Sequence, residues 1–295
     1  KDKVMATTLA DETSFMLASN TFVFETGPFN VSQQTIDTSH PSSPPKQLLI
    51  IAPTAKGEYP VIVFLHGFTL STSFYSQLLA HIASHGYIAV APQLYFMVPQ
   101  FLPTSGYEEM KSAAAVTDWL SEGLQSVLPK KVNANLLKLA LTGHSRGGNT
   151  AFSLALGLGG TLCKFSALIG IDPAAGITTG TQVKPNILTK VPRSFNVGIP
   201  VLIVGTGLGN VKRGGCLILP CAPDGVNHKE FYNESQAPCY HFVTKDYGHM
   251  DMLDDELNIF TKLAACVCKA GQGSKDPMRR CVGGLVVAFL EYYLY

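Results

Sequence analysis

Short apolar runs rich in β-branched residues recur along the chain and alternate with helical patterns or loops. Such runs are typical of strands buried on both faces, and their alternation with helices is typical of a parallel sheet covered by helices. The sequence therefore predicts an α/β fold with a mostly parallel central sheet flanked by helices. The runs are QLLIIAP (47–53), VIVFLH (61–66), YIAVAP (87–92), LALTG (139–143), FSALIGID (165–172), PVLIVGTG (200–207) and HFVTKD (241–246).

Helical patterns occupy several of the intervals between these runs. We expect an antiparallel edge strand at TFVFETG (21–27) and helices over Ser73–Ser84, Tyr107–Ser126, Ser145–Leu158, Met252–Cys268 and Arg279–Tyr293. Because no internal repeat or linker divides the sequence, residues 1–295 are predicted to form one domain. Three longer stretches lack periodicity, which is more typical of functional loops than of simple connections. They are 93–106, 174–198 and 208–239.

Ser145 lies in LTGHSRGG (141–148), directly after an apolar run and before a helical pattern. The pattern G-x-S-x-G between a strand and a helix is typical of a nucleophile elbow, a sharp turn that needs small residues two positions before and after the serine. The alternative is a plain turn without a chemical role. The strand–turn–helix context favours the first interpretation, so Ser145 is the predicted nucleophile.

A serine hydroxyl attacks an ester only when an imidazole accepts its proton, and that imidazole needs a carboxylate partner. Among eight histidines, His249 in KDYGHMDMLDD follows the last predicted strand, where the serine–acid–histidine order of this fold places the base. The other histidines have structural explanations in turns, in loops, at a strand start or on a helix interpreted as exposed.

The acid is harder to assign, because the stretch after the seventh strand, VGTGLGN (204–210), contains no carboxylate. Asp172 in LIGIDPAAG ends the sixth strand, beside the strand that carries the serine, and is the preferred candidate. Asp224 in the loop APDGVNH is the alternative. Asp251, Asp254 and Asp255 follow His249 and are expected to place negative charge at the start of the next helix.

Ester cleavage also needs two donors for the oxyanion of the tetrahedral intermediate. In a nucleophile elbow these are the backbone N–H of the residue after the serine and one from the loop after the third strand. Here they are the N–H groups of Arg146 and of Phe68 in the stretch VIVFLHGF. The alternative for His66-Gly67-Phe68 is a tight turn without a catalytic role.

The composition excludes several classes of protein. With 22 Lys and Arg against 21 Asp and Glu, the chain has no basic excess for nucleic acid and no acidic tail. No apolar run reaches the length of a membrane span, and the first residues show neither a signal-peptide nor a transit-peptide pattern. The cysteines lack the paired C-x-x-C spacing of zinc sites, so no metal is expected.

Seven cysteines are an odd number, so at least one thiol lacks an intrachain partner. Cys216, Cys221 and Cys239 bracket one loop, and Cys266 or Cys268 could reach Cys281. We expect up to two disulfides with Cys163 free; the alternative is buried free thiols in a reducing compartment.

Taken together, GHSRGG followed by AFSLALG, GIDPAAG, DYGHMDMLDD, VIVFLHGF and SHGYIAVAPQLY resemble the plant chlorophyllases. The resemblance extends from about Gln47 to the C-terminus. It implies an α/β-hydrolase in the chloroplast that cleaves the phytyl ester of chlorophyll through Ser145, Asp172 and His249. It implies no cofactor, because the magnesium belongs to the substrate.

An apolar loop, APQLYFMVPQFLPTSG (91–106), is expected to border the entrance for such a substrate. Its substrate-binding candidates are Leu94, Tyr95, Phe96, Met97 and Phe101, with Val98 and Leu102 beside them. The alternative is a loop folded onto the core. Peripheral membrane contact through apolar loops is a further expectation. Two other functions remain open at this point: a general carboxylesterase or lipase, and a pigment-binding protein that has lost catalysis.

Overall fold

The computed structural model describes residues 22–95, 105–178, 180–214, 219–256 and 267–295. Within these ranges eight strands form one sheet, in the order β1-β2-β4-β3-β5-β6-β7-β8. They are β1 (Val31–Ile36), β2 (Leu48–Pro53), β3 (Gly57–Leu65), β4 (Ile88–Pro92), β5 (Val132–His144), β6 (Ala167–Ile171), β7 (Val201–Thr206) and β8 (Cys239–Thr244).

The sheet is parallel from β4 to β8, and only β1 and β2 pair antiparallel with their neighbours. Every residue of β2, β4, β6 and β7 is buried. Burial on both faces explains why these strands are continuous apolar runs rather than alternating patterns. Each of the seven predicted runs falls on one of β2 to β8, and the predicted α/β architecture is confirmed.

Helices cover both faces of this sheet. They are α1 (Ser76–Ser84), α2 (Gly106–Trp119, continued by a π-helical turn over Leu120–Leu124), α3 (Arg146–Ala155), α4 (His228–Glu234) and α5 (Asp276–Leu294). Leu78 of α1 and Val282 of α5 belong to one apolar cluster. Met110 of α2, Phe152 of α3 and Phe231 of α4 belong to the cluster on the other face. No helix in the described ranges is long and apolar enough to cross a membrane.

One predicted element is wrong, and another lies largely outside the described residues. The edge strand is β1, whereas residues 22–24 of TFVFETG form a 3-10 turn that contacts α5 and whose Val23 carbonyl faces the ring of His81. Of the helix predicted over Met252–Cys268, residues 252–256 and 267–268 are not helical, and 257–266 lie outside the described residues. In residues 22–24 Val23 is buried while Phe22 is 63% exposed, so the contacts with α5 rather than the local aromatic pattern determine the backbone. Helix α4 lies inside a stretch predicted as a loop.

Three aspartates that follow His249 form hydrogen bonds or ion pairs with other elements of the fold. Asp254 accepts the N–H of Gln77 at the start of α1, and Asp255 pairs with Arg279 of α5. Asp251 accepts the N–H groups of two glycines in neighbouring turns. They therefore fasten the loop that carries His249 to the surrounding elements.

A single disulfide is present among the described cysteines. It joins Cys221 to Cys268, while Cys163, Cys239 and Cys281 are free thiols. The expected pairing to Cys281 is therefore wrong, and the expected free Cys163 is confirmed. Cys216 and Cys266 lie outside the described residues.

Candidate active site

Ser145 occupies a sharp turn between β5 and α3. Its backbone has φ 55° and ψ −124°, a region that is sparsely populated for residues other than glycine. A Cβ atom on Gly143 would lie 2.2 Å from the carbonyl oxygen of Gly147, and one on Gly147 would lie 2.2 Å from that of Leu65. The turn therefore requires both glycines, and it lifts the Ser145 side chain above the carboxyl end of the sheet.

Three side chains from different strand ends meet at this edge. The Ser145 hydroxyl lies 2.8 Å from His249 Nε2, and His249 Nδ1 lies 2.6 Å from Asp172 Oδ2. A carboxylate only accepts, so Nδ1 carries the proton and Nε2 presents a lone pair to the serine hydroxyl. All three residues are buried. Such an arrangement can remove a proton from the serine as it attacks a carbonyl carbon.

The Asp172 carboxylate is held by the last residue of β7. Thr206 donates its backbone N–H to Oδ1 and its hydroxyl to Oδ2. Burial alone would raise the pKa of Asp172, but the hydrogen bonds from His249 and Thr206 and the neighbouring imidazoles hold that pKa below its ordinary value. The competing candidate, Asp224, is exposed and binds Asn210 and Lys229 instead.

Phe68 and Arg146 line the same cavity as Ser145. The Arg146 guanidinium forms an ion pair with the buried Glu109 of α2, and it lies 4.9 Å from the centre of the Phe68 ring. Burial raises the pKa of Glu109 to about 7, against the opposing effect of the Arg146 charge. The side chains of both predicted oxyanion residues are thus packed against each other.

The cavity beside Ser145 has a volume of about 860 Å³. Its walls come from the segments after β3, β6 and β7 and from the disulfide-linked segments. Its apolar side chains include Leu70, Ile177, Val183, Leu219, Met250 and Val267. This volume lies in the range of pockets that hold small organic ligands, and an apolar lining suits a hydrocarbon group.

The predicted substrate loop is only partly described. Leu94 is 2% exposed, packs in the core and does not line the cavity, which agrees with the alternative of a loop folded onto the core at this position. Tyr95 is half-buried and contacts the rings of His66 and Phe68. Phe96, Met97, Val98, Phe101 and Leu102 lie outside the described residues.

Sequence reasoning missed the residues that support this site. Thr206 gave no signal, because a threonine at a strand end is ordinary. His144 and Tyr75 are both fully buried and hydrogen-bonded to each other although 69 positions separate them. The position of His144 inside the elbow was the one available hint. Among the described residues, no group of three or more His, Cys, Asp or Glu side chains could hold a metal ion.

A mostly parallel sheet with a strand–serine–helix elbow, and with a histidine and a carboxylate at the same sheet edge, defines the chain as an α/β-hydrolase. The family model described as Chlorophyllase matches residues 19–295. The chain is 49% identical to Chlorophyllase-2 of Arabidopsis thaliana, over 94% of this chain and 90% of that protein. It is 48% identical to Chlorophyllase-1 of Arabidopsis thaliana (97% and 89% covered) and to chloroplastic Chlorophyllase-1 of Citrus sinensis (95% and 83%). The chain belongs to the chlorophyllase family and is a carboxylic ester hydrolase.

Proposed function

We propose that this protein hydrolyses the phytyl ester of chlorophyll to chlorophyllide and phytol. The observation that carries the proposal is the hydrogen-bonded series Ser145–His249–Asp172 at the wall of a largely apolar cavity. Membership of the chlorophyllase family and the names of the relatives support chlorophyll as the ester. The reaction uses no cofactor of the protein, because the magnesium ion of chlorophyll belongs to the substrate.

In the first half-reaction Ser145 Oγ attacks the ester carbonyl carbon while His249 Nε2 accepts its proton. Asp172 keeps the proton of Nδ1 in place and stabilises the imidazolium that forms. The backbone N–H groups of Phe68 and Arg146 donate hydrogen bonds to the negatively charged former carbonyl oxygen. The intermediate then collapses, and His249 gives its proton to the departing phytol oxygen.

In the second half-reaction the acyl group of chlorophyllide is bound to Ser145 as an ester. A water molecule enters the position that phytol has left, and His249 Nε2 accepts a proton from it as its oxygen attacks the acyl carbon. The same two N–H groups donate hydrogen bonds to the oxyanion a second time. Collapse returns the proton to Ser145 Oγ and releases chlorophyllide with a free carboxyl group.

The apolar rim of the cavity supplies the binding of the hydrocarbon part of the substrate. Ile177 and Leu219 are 69% and 48% exposed although they are large apolar side chains, and both line the cavity with Ser145. Covering such side chains with a hydrocarbon chain removes apolar surface from water, which contributes about 25 cal/mol per Å². A long branched alcohol gains from this contact, and a short ester does not reach it.

The experiment compares chlorophyll with a p-nitrophenyl butyrate ester for Ile177→Ser and Leu219→Ser. We expect chlorophyll kcat/KM to fall about tenfold per substitution and that of the short ester to change less than about twofold. Leu162→Ser is the matched control, because Leu162 is 91% exposed and does not line the cavity. Equal losses for both esters would contradict the rim as the binding surface and would favour a general carboxylesterase.

The exposed apolar rim also supports contact with a lipid surface that holds the pigment. Phe68 and Val267 extend it beside Ile177 and Leu219, all more than 40% exposed. We expect Ile177→Asp to reduce cosedimentation with phospholipid vesicles and Leu162→Asp to leave it unchanged; equal binding of the two variants would contradict membrane contact. We propose that the protein acts in the chloroplast, because the names of the two Citrus relatives include the word chloroplastic.

A further inference from the structure

A buried series of hydrogen bonds joins the loop after β3 to the loop that carries His249. Tyr75 lies at the end of the 3-10 turn before α1 and has no exposed surface. Its hydroxyl oxygen lies 3.0 Å from the backbone nitrogen of Gly67 and 2.7 Å from His144 Nδ1. On the opposite side of the ring, His144 Nε2 lies 2.9 Å from the carbonyl oxygen of His249.

The direction of each bond follows from the chemistry of its partners. A carbonyl oxygen only accepts, so His144 Nε2 carries the proton and donates it to His249. Burial lowers the pKa of His144 to about 3, so the ring is neutral and Nδ1 keeps a lone pair. Nδ1 therefore accepts the Tyr75 hydroxyl, and the Tyr75 oxygen accepts the N–H of Gly67. One arrangement of protons therefore satisfies all four groups, which are the Gly67 N–H, the Tyr75 hydroxyl, the His144 ring and the His249 carbonyl.

The carbonyl of Gly67 is fixed as well. It accepts the proton of His66 Nδ1 at 2.8 Å and the N–H of Leu70 at 3.2 Å. This carbonyl shares its peptide unit with the N–H of Phe68, the proposed oxyanion donor. Both backbone groups of Gly67 are therefore tied to buried partners, and together these bonds determine where the Phe68 N–H points.

We propose that Tyr75 is a positioning residue for ester hydrolysis. Through Gly67 it holds the Phe68 N–H at the oxyanion position, and through His144 it fixes the backbone of the loop that presents His249. Both groups lie on loops, which hold a reactive geometry less well than helices or strands, and such geometry must be kept within about 0.5 Å. Tyr75 links the two loops and does not line the cavity. The inference rests on the proposed roles of Ser145, His249 and Phe68.

The test is Tyr75→Phe in the full-length protein, assayed with p-nitrophenyl butyrate. Removing the hydroxyl leaves the Gly67 N–H and His144 Nδ1 without their partner, so both loops lose their common support. We expect kcat to fall about 10- to 100-fold, less than or comparable to the loss of an oxyanion donor itself, with KM within about twofold. Phenylboronic acid, which forms a tetrahedral adduct on a reactive serine, should bind more weakly by the same factor as kcat/KM falls.

Two control variants separate this role from a loss of stability. Tyr87→Phe removes a fully buried hydroxyl that has no hydrogen-bond partner in the described part of the chain. Thr117→Val removes a buried hydroxyl bonded to Ala114 and Thr161, outside the cavity. Both should keep kcat and boronate affinity, even if the second lowers Tm. If Tyr75→Phe behaves as they do, the proposal is overturned.

A second pair of variants covers the case in which Tyr75→Phe does not fold. The amide of glutamine in His144→Gln can still donate to the His249 carbonyl, whereas the side chain in His144→Met cannot. We expect a higher kcat for His144→Gln at similar KM; equal values would overturn the proposal. Ser145→Ala is assayed in parallel. Retained activity in that variant would refute the proposed function itself, whereas its inactivity beside a fully active Tyr75→Phe would refute this inference alone.

Discussion

Thr206 gives both of its donors to Asp172: the backbone N–H lies 3.0 Å from Oδ1 and the hydroxyl 2.7 Å from Oδ2. Thr206 ends β7, the strand after which this fold commonly carries its acid. In this protein β7 supplies hydrogen-bond donors, and the neighbouring β6 supplies the carboxylate. Asp172, directly after β6, therefore lies one strand away from that position, with its Oδ2 2.6 Å from His249 Nδ1.

This relationship predicts that Thr206→Val lowers kcat/KM about tenfold, because the carboxylate loses a buried hydrogen bond that favours its charged form. Thr206→Ser keeps the hydroxyl and the backbone N–H, so it should retain most of the activity. Steady-state kinetics with p-nitrophenyl butyrate at neutral pH measure the difference. Equal activities of the two variants would show that the hydroxyl contributes nothing to the position of Asp172.

The identity of the acid predicts a large difference between two aspartates. Asp172→Asn should lower kcat about 10⁴-fold, because an amide permits the wrong imidazole tautomer at His249. Asp224→Asn should leave kcat within about twofold, since Asp224 is exposed and bound to Lys229. The two substitutions remove the same charge, so each is the control for the other. The reverse ranking would place the acid in the loop after β7.

The sequence predicted the strands well because most of them are buried on both faces, which leaves a continuous apolar pattern that needs no tertiary information. It also placed Ser145, His249 and Asp172 correctly at one sheet edge, since the carboxyl ends of parallel strands share that edge. Their catalytic roles stay predictions until variants are assayed. The edge strand was predicted at the wrong position for a related reason. β1 is a polar, partly exposed strand, and its sequence VSQQTI lacks the continuous apolar pattern of the buried strands.

The cysteine pairing could not be predicted, because it depends on which loops meet above the sheet. Cys221 follows β7 and Cys268 precedes α5, and they are 47 positions apart. The same argument applies to Tyr75 and His144, whose contact joins segments from different strands. Local patterns specify elements, whereas these contacts follow from the way the elements are arranged.

The disulfide gives a prediction for stability. Cys221→Ser should lower the free energy of unfolding by about 2–4 kcal/mol, because the cross-link restricts the unfolded chain. Cys281→Ser, which removes a half-buried free thiol, should change it much less. Urea denaturation measures both variants. Peptide mapping of the non-reduced protein should find Cys221 joined to Cys268, and alkylation of both without a reductant would contradict the pairing.

Two buried histidines, His66 directly after β3 and His144 at the end of β5, predict a dependence of stability on pH. Burial lowers the pKa of His66 to about 4 and that of His144 to about 3. Both pKa values lie below that of the unfolded chain, near 6.5, so the unfolded state binds more protons in this window. Stability is therefore full above about pH 6.5 and falls as the pH is lowered toward 4, by about 1.4 kcal/mol per pH unit for each histidine.

Urea denaturation between pH 6.5 and 5 measures this slope. His144→Gln lacks one of the histidines that contribute to this slope, so its slope should be shallower by about one proton, whatever its absolute stability. An unchanged slope in this variant would mean that His144 takes up its proton equally in the folded and unfolded states.

The most direct test of the central claim is product analysis with chlorophyll itself. The protein is incubated with detergent-dispersed chlorophyll, and chlorophyllide and phytol are quantified by chromatography beside Ser145→Ala and Ser153→Ala. Ser153 is a buried serine in α3, the helix that follows Ser145, and its hydroxyl donates to the Asn149 carbonyl, so it controls for the loss of a hydroxyl. We predict equimolar products from the unaltered protein and from Ser153→Ala, and a loss of at least about 10³-fold in Ser145→Ala. Near-normal turnover by Ser145→Ala, or no chlorophyllide from a protein that cleaves p-nitrophenyl butyrate, would contradict the account.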